Sequence, residues 1–242
     1  MARSKHRGGR RRSAITVIQS IASTSAAALR RAKAERRAYA AMPKPVPWAW
    51  AEPRLIPLLA GPYFDPPGEP LIRSVLPPGI AVTFGIDLGS GILPFVDAPV
   101  AERWECTPEQ ICHSAVTNLA RRAARIEPGS VKTGTLSGHL IRLLDTPVGW
   151  SSSMLLSPSD LIRLFGAQDQ LFLAAGHGTL ISMAMDVPSH VARGLVFEYE
   201  SKELYPLLLD PFALVDGVVT WGGSDDDDDW DDDAEPAVSQ IS

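Results

Sequence analysis

The sequence predicts an α+β fold, with mixed or antiparallel sheets and a few packed helices, flanked by disordered charged tails. Apolar runs of strand length mix with stretches of helical periodicity, and they lack the regular rhythm of repeated βαβ units. Opposite charges collect at the two ends. Residues 1–40 carry eleven Lys and Arg and one Glu, whereas residues 225–235 carry eight Asp and one Glu. Charge blocks of this kind are typical of disordered, interacting tails.

The chain divides into four predicted regions. Residues 1–42 form a basic arm of low complexity, residues 43–67 a proline-rich linker, residues 68–223 a globular α+β part of one domain or two subdomains, and residues 224–242 an acidic tail. The linker assignment depends on proline, since eleven of the 21 prolines lie between Met42 and Pro78. Proline fixes φ and lacks an amide donor, so it predicts extended chain.

Three helices are predicted from capping residues and apolar periodicity. In the first, Thr107 is the N-cap, Pro108 takes the first helical position and Gln110 completes a capping box. The buried face of this helix is predicted to consist of Ile111, Ala115, Val116, Leu119 and Ala123. A second, shorter helix begins after the cap Ser157, and a third follows Asp186.

Strands are predicted where apolar runs are bounded by turn residues. The region after Leu71 shows strands interrupted at residues 77–79 and 89–91, and another strand covers Gly138 to Asp145. Residues 129–138, with the sequence GSVKTGTLSG, lack the residue order of a phosphate-binding loop and are predicted to be a flexible turn.

Two strand–turn–strand units are predicted in the second half of the chain. In the first, the apolar runs QLFLAA and TLISMAM flank Gly176-His177-Gly178. In the second, Asp216-Gly217 separates two β-branched runs. This dipeptide predicts a type I′ turn, because both central residues of that turn need φ > 0.

Three of these segments stand in an order that resembles a known family. They are VTFGIDLGSGILPFVD from Val82, AVTNLARRA from Ala115 and DQLFLAAGHGTLISMAMD from Asp169. A strand ending in a DLG turn, a helix with the pair Asn118-Leu119, and two later strands around a short polar turn resemble the YtpQ-like bacterial proteins, a domain of unknown function. The resemblance covers roughly residues 68–221. It implies an α+β fold and implies no activity, substrate or catalytic residue.

His177 is a candidate binding residue within the globular region. A catalytic histidine needs an orienting partner for its second ring nitrogen, and no neighbouring Asp or Glu in the sequence supplies one. The resembled family has a proline and an acidic residue near this turn, and this chain has neither. Flanking glycines are typical of a tight connection between strands. We therefore interpret His177 as a turn residue, whose exchange for Ala should change the unfolding free energy by less than about 1 kcal/mol.

The other candidate binding residues are arginines of the basic arm. They are Arg10, Arg11, Arg12, Arg30 and Arg31. Arginine-rich arms neutralise phosphates without a fold of their own, although no aromatic residue lies within the first cluster to stack on bases. The first three arginines precede a weakly apolar stretch and also fit a twin-arginine export signal. The five basic residues from residue 30 to residue 37 argue against that alternative.

No catalytic, metal-binding or cofactor-binding residue is predicted. Five residues separate Cys106 from Cys112, a wider spacing than zinc sites use, so Cys112 is expected to be an apolar core residue and His113 not a ligand. Residues 151–153 are three serines without a neighbouring His or a nucleophile-elbow pattern. Asp87 lies at the end of a predicted strand and is interpreted as a turn-capping residue.

These observations favour a non-enzymatic binding or scaffolding domain with charged tails, in an uncharacterised bacterial protein. The first alternative is a nucleic-acid-associated protein that uses the basic arm, and the second is a hydrolase whose site is assembled from distant residues. The expected partner is a protein, with a polyanion or nucleic acid as the alternative through residues 1–40. No window reaches the ~18 apolar residues of a membrane span. Two cysteines fit a reducing, cytoplasmic setting.

Overall fold

The architecture rests on two antiparallel sheets, which confirms the predicted α+β class. The structure is a computed structural model that describes residues 33–34, 36–61, 72–76, 80–89, 93–146, 149–200, 207 and 209–221. The predicted acidic tail and residues 1–32 and 35 of the predicted basic arm lie outside these residues.

The first sheet has three strands in the order β1-β3-β2. Its strands are β1 (Leu55–Ala60), β2 (Ile72–Leu76) and β3 (Ile80–Ile86). The register pairs Leu55 with Ile86, so the beginning of β1 lies beside the end of β3. Every residue of β1 is buried.

The second sheet has six strands in the order β4-β5-β7-β6-β8-β9. They are β4 (Lys132–Leu136), β5 (His139–Asp145), β6 (Gln170–Gly176), β7 (Thr179–Ala184), β8 (Phe212–Val215) and β9 (Val218–Trp221). Asp216 and Gly217 have φ values of 50° and 78°, as the type I′ turn requires, so the predicted hairpin is confirmed.

Helices cover both sheets. They are α1 (Trp48–Ala51), α2 (Ala98–Arg103), α3 (Pro108–Ala123), α4 (Pro158–Phe165) and α5 (Ser189–Glu200), with 3₁₀ helices at Glu52–Arg54, Pro128–Ser130 and Ser151–Leu156. The capping box predicted at Thr107 is present in both directions. The predicted apolar stripe of α3 is buried at four of its five positions, Val116 being only half-buried, and Asn118 is buried beside them.

Two apolar clusters make up the core. The larger one joins both sheets to α3 and α4 through residues such as Leu58, Phe84 and Phe172, which are almost completely buried. The smaller one lies beneath α5, where Leu195 packs with Leu173 and other residues of the second sheet. The α5 helix therefore covers the face of the second sheet that is turned away from the first cluster.

Part of the predicted proline-rich linker belongs to the folded core. Residues 48–60 form α1, a 3₁₀ helix and β1. Its prolines are compatible with these elements, because Pro53 lies in the first positions of the 3₁₀ helix and Pro57 lies on an edge strand. The domain boundary expected at residue 68 therefore differs from the structure, in which ordered chain begins before Trp48.

A second difference concerns residues 129–138. They were expected to form a flexible turn, but Lys132–Leu136 is strand β4, paired with β5 along its whole length. The turn is restricted to Ser137 and Gly138, which both have positive φ. β4 is an edge strand with mostly exposed side chains, so it lacks the apolar alternation from which strands are predicted.

Three consecutive serines connect the two sheets, and we call Ser151, Ser152 and Ser153 the serine clasp. All three are fully buried. The Ser153 hydroxyl donates to the carbonyl of Pro57 in β1 at 2.6 Å. The amide and hydroxyl of Ser152 both donate to the carbonyl of His177, between β6 and β7. The Ser151 hydroxyl donates to Thr146 Oγ1 at 2.9 Å and accepts from the Thr146 amide at 3.0 Å.

Removal of residues 1–61 is expected to abolish cooperative unfolding, because it deletes β1 and leaves the Ser153 hydroxyl and one side of β3 without partners. A chain that begins at residue 43 keeps β1 and is the matched control. Urea unfolding followed by near-ultraviolet circular dichroism measures the transition. A sharp transition of the shorter chain, at the midpoint of the control, would contradict the assignment of β1 to the core.

Candidate functional site

His177 occupies the two-residue turn between β6 and β7, as predicted. The residue is half-buried overall, but both of its ring nitrogens are shielded from solvent. The Phe95 ring lies 6.4 Å from the imidazole centroid. Burial lowers the pKa of His177 to about 4. The small effect expected for its exchange assumed an exposed side chain, and because both ring nitrogens are buried we now expect a larger loss of stability.

The other candidates from the sequence are not brought to His177. Arg10, Arg11, Arg12, Arg30 and Arg31 lie outside the described residues. Cys106 and Cys112 form no disulfide within the described residues and pack, half-buried, against the large apolar cluster. Within the described ranges, no group of three or more His, Cys, Asp or Glu side chains could hold a metal ion. Nor is any described helix long and apolar enough to cross a membrane.

An open polar groove lies between α3 and the segment of α1 and the 3₁₀ helix Glu52–Arg54. Its volume is about 430 Å³. It is lined by Ala49, Glu52, Pro53, His113, Ser114, Thr117, Asn118 and Arg121. Four of the five polar residues of α3 in this set follow the spacing i, i+3, i+4 and i+7 from Ser114, which places them on one face of the helix.

Asn118 forms the rigid floor of the groove. Its side-chain amide donates to the carbonyl of Glu52 at 2.6 Å and to the carbonyl of Leu55 at 3.2 Å. Its Oδ1 accepts a hydrogen bond from Arg121 Nη1 at 3.3 Å. The side chain is therefore committed to holding the start of β1 against α3, and it positions Arg121 at the edge of the groove.

The groove brings a serine, a histidine and a carboxylate together without forming a catalytic triad. The Ser114 hydroxyl lies 3.5 Å from Glu52 Oε1. His113 precedes Ser114 on the helix, so the two side chains point about 100° apart. Across the described part of the chain, no hydrogen bond joins His113 to Ser114 or to Glu52. No general base is thus positioned on the serine hydroxyl.

Near the groove, Arg122 forms an ion pair with Asp87, and we call Arg122 together with the three arginines whose charges act on it, Arg54, Arg121 and Arg125, the arginine cluster. Arg122 Nη2 lies 3.3 Å from Asp87 Oδ2. Asp87 also accepts a hydrogen bond from the Gly89 amide at 2.6 Å, so its predicted turn-capping role is confirmed. The Asp87 amide donates to the carbonyl of Arg54 at 2.8 Å. The carboxylate therefore lies where β1 begins and β3 ends.

The charges of the cluster act on Arg122. Burial is the main cause that lowers the pKa of this guanidinium, and Asp87 raises it. Arg121, Arg125 and Arg54 all lie close enough to lower it further. Arg122 Nη1 is shielded from solvent and has no hydrogen-bond partner among the described residues. One carboxylate therefore compensates the positive charge of the cluster only in part.

Sequence reasoning missed both the groove and the cluster. The polar stripe on α3 was visible in the helical spacing from Ser114 to Arg121. What concealed the groove was the assignment of residues 43–67 to a linker, because Glu52 and Pro53 form its opposite wall. The pairing of β1 with β3 is a contact between distant parts of the chain, and no local pattern indicates it.

Comparison with known proteins gives no assignment: the chain matches no family model, no curated protein and no solved structure. The resemblance to the YtpQ-like proteins therefore stays a prediction, and the function must be argued from the site itself.

Acidification is expected to destabilise the protein through His177. Its pKa in the fold, about 4, lies below the ordinary 6.5. The unfolded chain therefore binds a proton that the folded protein excludes, and stability is lost as the pH falls from 6.5 towards 4. The loss attributable to this residue amounts to about 3 kcal/mol.

The test is the free energy of unfolding of the parent protein and of His177→Gln, measured from neutral pH to about pH 4. The glutamine variant should lack this part of the acid dependence. On acidification, its free energy of unfolding should therefore rise relative to that of the parent. The same exchange at the exposed His113 is the matched control and should follow the parent. If the difference in unfolding free energy between the parent and His177→Gln did not vary with pH, the imidazole would not be buried in its neutral form.

Proposed function

We propose that this protein is a non-enzymatic binding or scaffolding domain that holds a segment of a protein partner in the groove between α3 and the 3₁₀ helix Glu52–Arg54. The observation that carries the proposal is the groove itself, a cleft of about 430 Å³ with a carboxylate and a guanidinium on its walls. This volume falls within the range of about 300–1,000 Å³ that binding clefts occupy. A peptide segment with side chains of both signs complements such a wall.

The rigidity of the groove supports a binding role. The capping box fixes the start of α3, and Arg163 donates to the carbonyls of Ala123 and Ile126 at its end. Asn118 ties the middle of the helix to the opposite wall. A preformed surface loses little conformational entropy when a partner binds, which favours recognition.

The polar groups of the groove also favour binding over hydrolysis. The Asn118 amide donates to backbone carbonyls and is not free to stabilise an oxyanion. Ser114 faces a carboxylate but no histidine, so its hydroxyl is not activated as a nucleophile. These arrangements argue against the hydrolase alternative. In the same proposal we place the protein in the cytoplasm, where cysteines outside disulfides, such as Cys106 and Cys112, stay reduced.

A photo-crosslinking amino acid at Thr117, which is exposed in the groove, tests this proposal in the native host cell. We expect one discrete cross-linked protein, identified by mass spectrometry, and none at the exposed control position Thr220. With that partner purified, the double charge reversal Glu52→Lys and Arg121→Glu should weaken binding about tenfold or more, which is about 1.4 kcal/mol. Glu102→Lys, an exposed charge on α2, is the control. Unchanged affinity of the double variant would rule out the groove.

Nucleic-acid association is a second candidate function, and the arginine cluster is the observation that favours it. The cluster adds guanidinium groups of the folded part to the arginines of the predicted arm. Several such contacts with phosphates give an affinity that falls steeply with salt.

An electrophoretic shift assay with the full-length chain at about 50 and 200 mM salt tests this candidate. We expect binding at the lower salt concentration that weakens by orders of magnitude at the higher one. Deletion of residues 1–40 should reduce the salt dependence, and deletion of the acidic residues 225–235 should tighten binding, since their carboxylates compete with phosphate for arginine. Absence of binding at the lower concentration would exclude the nucleic-acid role.

A further inference from the structure

We infer that the β4 edge of the six-stranded sheet is a self-association surface, at which β4 pairs antiparallel with β4 of a second copy of this chain. β4 lies at the end of the sheet, and among the described residues it pairs only with β5. Lys132, Thr133, Gly134 and Thr135 are all exposed. The edge takes no part in the groove of the proposed function, so the two can be tested separately.

The turn at the end of β4 determines the hydrogen-bonding pattern of the strand. Ser137 and Gly138 have φ values of 51° and 84°, as the two central residues of a type I′ turn require. The residues that flank such a turn, here Leu136 and His139, form a hydrogen-bonded pair. Hydrogen-bonded and non-hydrogen-bonded pairs then alternate along the antiparallel ladder.

The main-chain groups of two threonines consequently point out of the sheet. Gly134 lies opposite Ile141 and continues the hydrogen-bonded set, so its amide and carbonyl are directed towards β5. Thr133 and Thr135 belong to the alternate pairs, and their amides and carbonyls are directed away from β5. Such a row of main-chain groups is a template for a further strand.

The sequence around Gly134 is self-complementary in an antiparallel pair. A twofold axis at this glycine places Thr133 opposite Thr135 of the second copy, and Thr135 opposite Thr133. The two residues of each such pair exchange both of their main-chain hydrogen bonds. Threonines that lie opposite each other also stabilise a sheet through their side chains. At the axis two glycines meet, and no side chains collide there.

The charge distribution of β4 is compatible with this arrangement. Lys132 lies opposite Leu136 of the second copy, so the two lysines are four residues apart along the strands, about 13 Å. This separation exceeds the Debye length of about 8 Å at physiological salt. Within each copy, Lys132 Nζ also lies 3.8 Å from Asp145 Oδ2, which offsets its charge. The aliphatic part of the lysine would cover the half-buried Leu136 of the other copy.

The length of the edge determines how tightly two copies associate. β4 has 5 residues, and a strand pair of this length buries less than the roughly 1,200–2,000 Å² of stable protein interfaces. We therefore expect a reversible dimer with a Kd between about 10 µM and 1 mM.

Gly134→Cys in the full-length protein tests the pairing and its register. No neighbouring atom lies within 4 Å of a Cβ added at Gly134, so the exchange fits the monomer. In the dimer the two Cα atoms at the axis are about 4.5 Å apart, within the range of about 4.4–6.8 Å that disulfides span. We expect a disulfide-linked dimer under mild oxidation at about 300 mM salt, which screens attraction between the charged tails.

Three controls accompany this variant. The parent reports cross-linking through the native Cys106 and Cys112. Lys132→Cys should not cross-link, because its two copies lie about 13 Å apart, beyond the reach of a disulfide. Val218→Cys, on the exposed surface of β9 at the opposite end of the sheet, should not cross-link either. Cross-linking at Val218 without cross-linking at Gly134 would assign the association to β9 and overturn the proposal.

Thr135→Pro removes an amide that points out of the sheet and interrupts no bond to β5. Sedimentation equilibrium should show a Kd raised about tenfold or more, whereas the control Thr135→Val keeps the amide and should stay close to the parent. Circular dichroism checks that the proline variant is folded, and the cross-link at Gly134 decides the question if it is not. Equal Kd values of the folded proline and valine variants would overturn the proposal. So would a parent that stays monomeric up to about 1 mM and a Gly134→Cys variant that does not cross-link.

Discussion

The hydrogen bond from the Ser153 hydroxyl to the Pro57 carbonyl is the contact on which the arrangement of the two sheets depends. Pro57 has no amide hydrogen and lies on an edge strand, where a proline breaks no ladder bond. Its carbonyl is deeply buried beside Ser153 and needs a donor. The adjacent Ser152 holds the turn between β6 and β7 in the same way, so one 3₁₀ turn satisfies backbone groups of both sheets.

This contact explains why a short polar turn contains a buried histidine. The amide and hydroxyl of Ser152 donate to the carbonyl of His177 and hold the turn against the core. The imidazole is therefore buried with the backbone to which it is attached. Desolvation then favours the neutral ring, because a charged imidazole loses its hydration in the core. The low pKa of His177 is in this sense a consequence of the clasp, and it does not require a catalytic role.

The parts of the fold that the sequence predicts are those with a local signal. The capping box of α3 and the Asp216-Gly217 turn are encoded by a few adjacent residues, and both are present in the structure. Strand β1 was missed because its prolines indicate a linker, although the run LIPLLA is apolar throughout. The serine clasp and the arginine cluster could not be predicted, since their partners are separated by up to 96 residues. Such contacts are fixed by the pairing of β1 with β3 and by the helix packed on it.

The same packing determines which positive charges act on Arg122. Arginines in the last turn of a helix interact favourably with its carbonyl groups, so Arg121 and Arg122 stabilise α3 by themselves. The charge of Arg54 acts on Arg122 because β1 is held against α3, and Asp87 offsets the repulsion in part. Because Asn118 bonds to carbonyls of both Glu52 and Leu55, the helix cannot shift along β1 to separate the charges without breaking these bonds. The fold therefore fixes the charges that act on the partly buried Arg122, and Asp87 is the carboxylate that offsets them.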